Sequence, residues 1–327
     1  MMHAMENSQF LSSCSADTIK LAAQSLMHGN LVAFPTETVY GLGADALNSV
    51  GVSRIYSVKG RPQDHPLIVH LHDFNAINDW VKEIPKYAID LARDYWPGPM
   101  TLILNRSKIV GDFITGGQDT VGIRIPDHPI ALALLNSFQE IGGKGIAAPS
   151  ANRFGHVSPT SAEAVSEEIA EFLTPSDLIL NGGECRVGLE STIVDCTGGI
   201  PAILRPGAIS EEMIEESVKV KIGEKFKSSN NRASGMLEKH YSPKSKVFLD
   251  QTPVAGQGYL ALSIEETPLG VVRLAAPINI EEFARVLYQA LRRADELNLQ
   301  SMVVQQPMGE GLAVAIRDRL AKAANGR

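Results

Sequence analysis

LVAFPTETVYGLGADA, Leu31 to Ala46, is the stretch on which the architecture turns. LVAFP reads as a short buried strand, after which the apolar run gives way to hydroxyls and glycines. GLGADA, Gly41 to Ala46, satisfies the G-x-G-x-x-A template of a dinucleotide fold. In that fold the first glycine follows the strand end at once and opens a helix. Here TETVYG, led by Thr36, separates Pro35 from Leu42, so a Rossmann cofactor site is set aside. The chain has no P-loop sequence either. Three further segments break apolar runs in the same way: KGRPQDHPL (Lys59 to Leu67), APSAN (Ala148 to Asn152) and GLESTIVD (Gly188 to Asp195). Such segments bring backbone and hydroxyl donors close to a charged small molecule, and the chain reads as an enzyme built around an anion.

Working outward, Ser15 caps an expected helix from about Ala16 to His28, stopped by Gly29. A second helix runs through Val50 to Val58 and ends at Gly60. Pro66 to Leu71 alternates as a strand, with Leu67, Val69 and Leu71 on one face and Ile68, His70 and His72 on the other. A helix over Pro85 to Tyr95 is broken by WPGPM before the strand TLIL, Thr101 to Leu104. In VGIRIP, Val121, Ile123 and Ile125 face the core and Arg124 the opposite side. Thr160 to Glu163 reads as a capping box opening a helix to about Leu173. Strand patterns recur at Gly145 to Ala148, Leu178 to Leu180 and Thr192 to Val194. The expectation is an α/β fold, a twisted mixed sheet with flanking helices.

Three segments follow from this: a catalytic unit over 1–210, a polar linker over 211–245, and a small α/β domain over 246–327. In the last, strands at Gly258 to Ser263, Gly270 to Leu274 and Ser301 to Gln305 flank a helix capped by Asn279, and a final helix spans about Glu310 to Ala324. That is a βαβ-like arrangement.

The chain has 327 residues, 44% hydrophobic and 20% charged, enough for two cores. A net charge of -7 and a pI near 5.7 give no general attraction to polyphosphate, which counts against a freestanding RNA-binding module. Cys14, Cys185 and Cys196 show no C-x-x-C spacing, so neither a disulfide framework nor a zinc knuckle is expected, and a reducing cytoplasm fits. The opening residues lack a signal-peptide pattern and no window suits a spanning helix, so no membrane partner is expected.

Lys59 and Arg61 stand two apart after a helix stop and either grip phosphates or sit as solvated cations at a helix end. Ser150 and Asn152, also two apart, would face one side of a strand end, where α/β folds place ligands. His65, His70 and His72 with Asp64 and Asp73 lack a third ligand at fixed spacing, so no metal site is expected. Ser191 lies outside a G-x-S-x-G elbow, which favours ligand hydrogen bonding over nucleophilic attack. Cys185 and Cys196 read as packing residues.

Taken together, PTETVYGLG, KGRPxxxPLIVH, WPGPMTLIL, VGIRIP, APSAN and STIVD with the downstream LRPG (Leu204 to Gly207) resemble the threonylcarbamoyl-AMP synthase family in motif and order, over about Leu26 to Ser210. GMLEKHYSP, Gly235 to Pro243, is similar to the linker signature of its two-domain members; where these often carry a proline, Ala233 and Ser234 precede Gly235. The resemblance implies a YrdC-like catalytic domain followed by a small Rossmann-like βαβ domain. It implies condensation of L-threonine, bicarbonate and ATP, with magnesium as the nucleotide's cofactor, to threonylcarbamoyl-AMP and pyrophosphate. The product passes to a separate tRNA-modifying transferase complex, and a weak tRNA contact of the chain's own is among its implied partners. Lys59, Arg61, Ser150 and Asn152 are the implied catalytic residues. Thr120, Ser158, Arg205 and Tyr241 join them in holding ATP, while Thr36, His70, Arg124 and Ser191 hold threonine. Tyr241 would fold the linker over the cleft. Two rival readings are a double-stranded RNA or tRNA-binding module without catalysis and an enzyme that adenylates a different carbamate.

Overall fold

The computed structural model describes residues 11–222, 231–235 and 240–326. The linker positions 223–230 and the signature residues Met236 to Lys239 lie outside the described residues, as do the opening ten and Arg327. In chain order the strands of a ten-stranded sheet are β1 (Leu11–Ser12), β2 (Val32–Phe34), β3 (Gly41–Asp45), β4 (Ile68–His70), β5 (Met100–Asn105), β6 (Thr120–Arg124), β7 (Ile146–Ala147), β8 (Leu178–Leu180), β9 (Thr192–Asp195) and β10 (Ala202–Arg205). Their spatial order is β1-β8-β2-β3-β7-β4-β6-β5-β9-β10. Pairing is mixed: β4 runs parallel to β6 and β5 to β9, whereas β3 is antiparallel to both β2 and β7. The expected mixed α/β sheet is present.

GLGADA, considered above only as a nucleotide loop, is the inner strand β3. A Cβ on Gly43 would stand 2.8 Å from Ile146 Cγ2 and 2.9 Å from a Phe34 ring carbon, so glycine there permits close strand packing. β10 and the Pro129–Glu140 helix were not anticipated, although the helix carries Pro129 at its start and His128 as its cap. That helix packs its Leu134, Leu135 and Phe138 against Ile19, Ala22, Ala23 and Leu26 of the Ser15-capped helix Ala16–Met27. The expected capping box is corrected by one residue: Ser161, not Thr160, caps Ala162–Ile169 by accepting from Ala164 N. Residues Glu211–Val218, read from their polarity as linker, form a helix that buries only Ile214.

Strands β11 (Lys246–Leu249), β12 (Gly258–Leu260), β13 (Val272–Ala275) and β14 (Ser301–Val304) form a second, wholly parallel sheet in the order β11-β14-β12-β13. Helix Ile280–Glu296, capped by Asn279, links β13 to β14 as a βαβ crossover, and Leu312–Ala324 closes the chain. The second core is continuous with the first unit: Phe283, Leu287 and Ile316 share a cluster with Val39, Val157 and Leu189.

Asp177, at the entry to β8, holds the first layer together. Its carboxylate accepts from Leu31 N (2.7 Å), Thr174 N (2.7 Å) and both terminal nitrogens of Arg54 (2.9 and 2.6 Å). Burial pushes its pKa up, but the Arg54, Leu31 and Thr174 bonds outweigh it and hold the group below its ordinary value. The stability this contributes is present above the unfolded carboxylate's pKa and is lost as pH falls below it. Asp177→Ala should lower the unfolding free energy by about 3 kcal/mol, since it strands a partly buried guanidinium and two backbone donors. Urea denaturation at neutral pH measures this.

Candidate active site

A cleft of about 550 Å³, counting its open mouth, lies where the ends of β4, β6 and β9 meet the loops after β2 and β7. Eight of the sequence-predicted residues line it: Thr36, Arg61, His70, Arg124, Ser150, Ser191, Arg205 and Tyr241. β4 and β6 are adjacent and in register, pairing His70 with Arg124, so parallel strand order alone brings these two distant motifs together. Val69, Val121 and Ile123 turn into the core as the alternation requires.

Three guanidinium groups face the cleft, each held by acceptors. Arg61 donates to Pro66 O (3.1 Å) and Ser234 Oγ (3.0 Å), with its Nε buried and unpartnered. Burial lowers its pKa to about 10. Arg205 donates to Ser191 O (2.8 and 3.1 Å), Ser191 Oγ (3.1 Å) and Ser234 O (3.0 Å). Arg124 donates to Gly98 O (3.3 Å) and makes a 2.6 Å ion pair with Glu37, the residue after Thr36. Sequence reasoning passed over Glu37, although a carboxylate between two hydroxyls in PTET was a signal that some cation answers it. Thr36 folds its hydroxyl onto Thr38 Oγ1 (2.8 Å) and Val39 O (2.6 Å), fixing the turn that presents Glu37.

Four of the predicted residues do not line the cleft. Lys59 is 2% exposed, and its Nζ donates to Ser150 O and Asn152 O at 2.5 Å each, so it stands behind the APSAN loop. Burial drives its pKa well down, with Arg61 adding to the effect. Asn152 does not share Ser150's outlook: the chain turns after β7, and its amide donates to Arg153 O and His156 O while Oδ1 is buried without a partner. Ser158 is buried behind Glu190, to which it donates at 2.6 Å. Thr120 lines a side recess with Ile68, Gly122, Ile193 and Ser234 that shares Ile68 and Ser234 with the main cleft.

Glu190, His240 and Ser234 also line the cleft and were not anticipated. Tyr241 adopts φ 60°, a left-handed conformation that a bulky side chain rarely takes, and its ring stacks on Tyr288 at 5.6 Å. Its hydroxyl is buried and unpartnered, as are Nδ1 of His70 and of His240. Cys185 and Cys196 are core residues, as expected. A basic cleft whose lining residues carry four orphaned polar atoms, counting Arg61 Nε, is suited to a polar anion.

The family described as "Telomere recombination" matches residues 24–207, and "Threonylcarbamoyl-AMP synthase, C-terminal domain" matches residues 209–325. The chain belongs to the threonylcarbamoyl-AMP synthase family. It is 40% identical to the threonylcarbamoyl-AMP synthase of Pyrococcus abyssi over 94% of both chains, and 37% identical to that of Bacillus subtilis over 94% of this chain and 93% of the other. A Mycobacterium tuberculosis relative named as a putative threonylcarbamoyl-AMP synthase is 36% identical over 60% of this chain and 86% of its own length. The crystal structure of P. abyssi Sua5 complexed with L-threonine superposes with a TM-score of 0.85 at 37% identity, covering 96% of this chain and 97% of that one. No helix of the described residues is long and apolar enough to cross a membrane.

Burial, reinforced by Arg124 for His70 and partly opposed by Glu190 for His240, lowers both histidine pKa values to about 3. Both rings should stay neutral between about pH 5 and 8, with no ring-proton titration by NMR. In the unfolded chain each titrates near ~6.5, so their contribution to stability is lost as pH falls below that value.

Proposed function

We propose that this cleft condenses L-threonine, bicarbonate and ATP to threonylcarbamoyl-AMP and pyrophosphate. The convergence of Arg61, Arg124 and Arg205 on one cleft, in a chain of this family, carries the reading. Threonine's amine combines with bicarbonate to give a carbamate and water. The carbamate oxygen attacks the α-phosphorus of ATP, forming a P–O bond as the bond to the β-phosphate bridging oxygen breaks and pyrophosphate leaves. Little proton transfer is needed, so positioning and charge stabilisation carry the rate.

In this reading Arg61 and Arg205 hold the phosphates. The side recess at Thr120, apolar through Ile68, Gly122 and Ile193, receives the base. Arg124, aligned by Glu37, takes the threonine carboxylate beside His70, Thr36 and Ser191. Lys59 acts by fixing Ser150 and Asn152, while Ser158 supports the wall through Glu190. Tyr241 closes the cleft and keeps water from the mixed anhydride. Magnesium enters as the companion of the phosphates. Among the described residues no three His, Cys, Asp or Glu side chains are assembled to hold a metal. A separate transferase would move the threonylcarbamoyl group to tRNA, and a cytoplasmic location is part of this reading.

Pyrophosphate release by purified protein with ATP, magnesium and bicarbonate should depend on L-threonine and not on L-serine. Arg61→Ala should reduce kcat/KM by about 100-fold or more, the cost of removing a charged donor from a desolvated transition state. No release under any amino acid, with RNA bound instead, would return the reading to the RNA-binding module. Separately, Glu37→Gln should raise KM for threonine about tenfold while leaving KM for ATP near the wild-type value, because it releases only the guanidinium that takes the carboxylate. Equal rises for both substrates would refute this division of the cleft.

A further inference from the structure

Glu190 is a carboxylate in the wall of a cleft whose proposed ligand is a polyphosphate. Its Oε1 accepts from Ser158 Oγ (2.6 Å), and its Oε2 accepts from Tyr288 OH (2.8 Å) and Arg319 Nε (2.9 Å). Of these three donors only Arg319 carries charge. It comes from Leu312–Ala324, the last helix of the second domain, and its side chain is fully buried. Arg319 also donates to Pro206 O (3.0 Å) and to Asp318 Oδ2 (2.5 Å), a carboxylate that Lys322 answers as well (2.8 Å), and its guanidinium lies 5.3 Å from the Tyr241 ring centroid. It therefore touches the residue before Ser191 and the residue after Arg205, two members of the cleft. We propose that Arg319 is a positioning residue of the active site, cancelling the Glu190 charge so that the cleft admits the nucleotide's phosphates.

Burial alone would push the Glu190 carboxyl up; Arg319 first and Arg205 next hold it ionised, at about 2. Without Arg319, Arg205 becomes the nearest cation able to answer that carboxylate. It would be drawn from phosphate binding, while the bare carboxylate would repel the incoming phosphates across a desolvated cleft. The second domain thus supplies a counter-charge rather than a substrate contact. A clamp that merely docked the domains would not discriminate between ligands, and would not be relieved by removing Glu190's charge.

That the ligand is ATP rests on the preceding section, so the test reads binding, not turnover. Calorimetric titration of the full-length chain with a non-hydrolysable ATP analogue compares wild type, Arg319→Met, Glu190→Gln and the double variant. Arg319→Met should weaken nucleotide binding about tenfold or more and leave threonine binding within about threefold, whereas the double variant should recover most of the loss. A double variant as weak as Arg319→Met, or an Arg319→Met protein that binds like wild type, overturns the proposal. Should Arg319→Met fail to fold, Arg319→Lys decides. A retained charge should keep nucleotide affinity within about threefold, and loss of that affinity in a folded Arg319→Lys protein rejects the proposal. Wild type that binds the analogue but releases no pyrophosphate with threonine would sink the proposed reaction and leave this inference standing.

Discussion

Three buried guanidinium groups packed around one cleft repel one another, and much of the surrounding structure keeps them there. No single carboxylate could neutralise all three without destroying the site for an anion. The chain instead surrounds them with oriented carbonyls and hydroxyls: Pro66 O and Ser234 for Arg61, Ser191 and Ser234 O for Arg205, Gly98 O for Arg124. These acceptors stabilise a cation without cancelling its field. Strand ends and tight loops supply them because their carbonyls leave the ladder unpaired. The lowered Arg61 and Arg205 pKa values, dominated by burial, record what holding such groups out of water costs.

Two carboxylates, Glu190 in the wall of the cleft and Glu37 behind Arg124, have a different logic. Glu37 and Glu190 each belong to one named guanidinium, Arg124 and Arg319 respectively, and each also takes further hydrogen bonds. A buried ion pair is stable only when its remaining lone pairs are satisfied. Asp127 N on Glu37, and Ser158 and Tyr288 on Glu190, meet that condition. The small domain therefore backs the wall of the cleft and is not an appendage on a tether. The shared cluster of Val39, Val157 and Leu189 with Phe283 and Leu287 makes that wall an apolar seam as well as a charged one.

How much of this was legible in the sequence depended on whether a signal was local. Period-two alternation in Pro66 to Leu71 and in VGIRIP assigned His70 and Arg124 to the side opposite the apolar residues, and the sheet then placed the two strands side by side. Ser15, Asn279 and Gly60 marked helix ends because capping is a local hydrogen-bonding problem. GLGADA was rightly set aside as a dinucleotide loop but was not seen as a strand, because glycine serves close strand packing as readily as ligand approach, and the sequence does not show that Phe34 and Ile146 pack against Gly43. Lys59 and Arg61 were read as equivalent because they are two apart. Gly60, in the left-handed conformation at φ 61°, breaks the extended geometry that this reading assumed. One cation then turns under the APSAN loop while the other faces the cleft.

Glu190 and Arg319 were invisible for a related reason, since 129 positions separate them and neither stands in a pattern that names the other. GLEST offers a glutamate beside the expected serine, and nothing in AIRDRLAKAA distinguishes Arg319 from the charged face of an ordinary helix. Burial separates the two readings. Arg317, two residues earlier, is half-buried and donates to Pro307 O and Gly309 O within its own domain, whereas Arg319 is enclosed and reaches the catalytic sheet. A helix that directs one arginine to its own loops and another to a foreign carboxylate is built to join two cores, and the join falls beside Ser191 and Arg205. The second domain is coupled to the chemistry at the point where an uncompensated charge would be felt most by an anionic ligand.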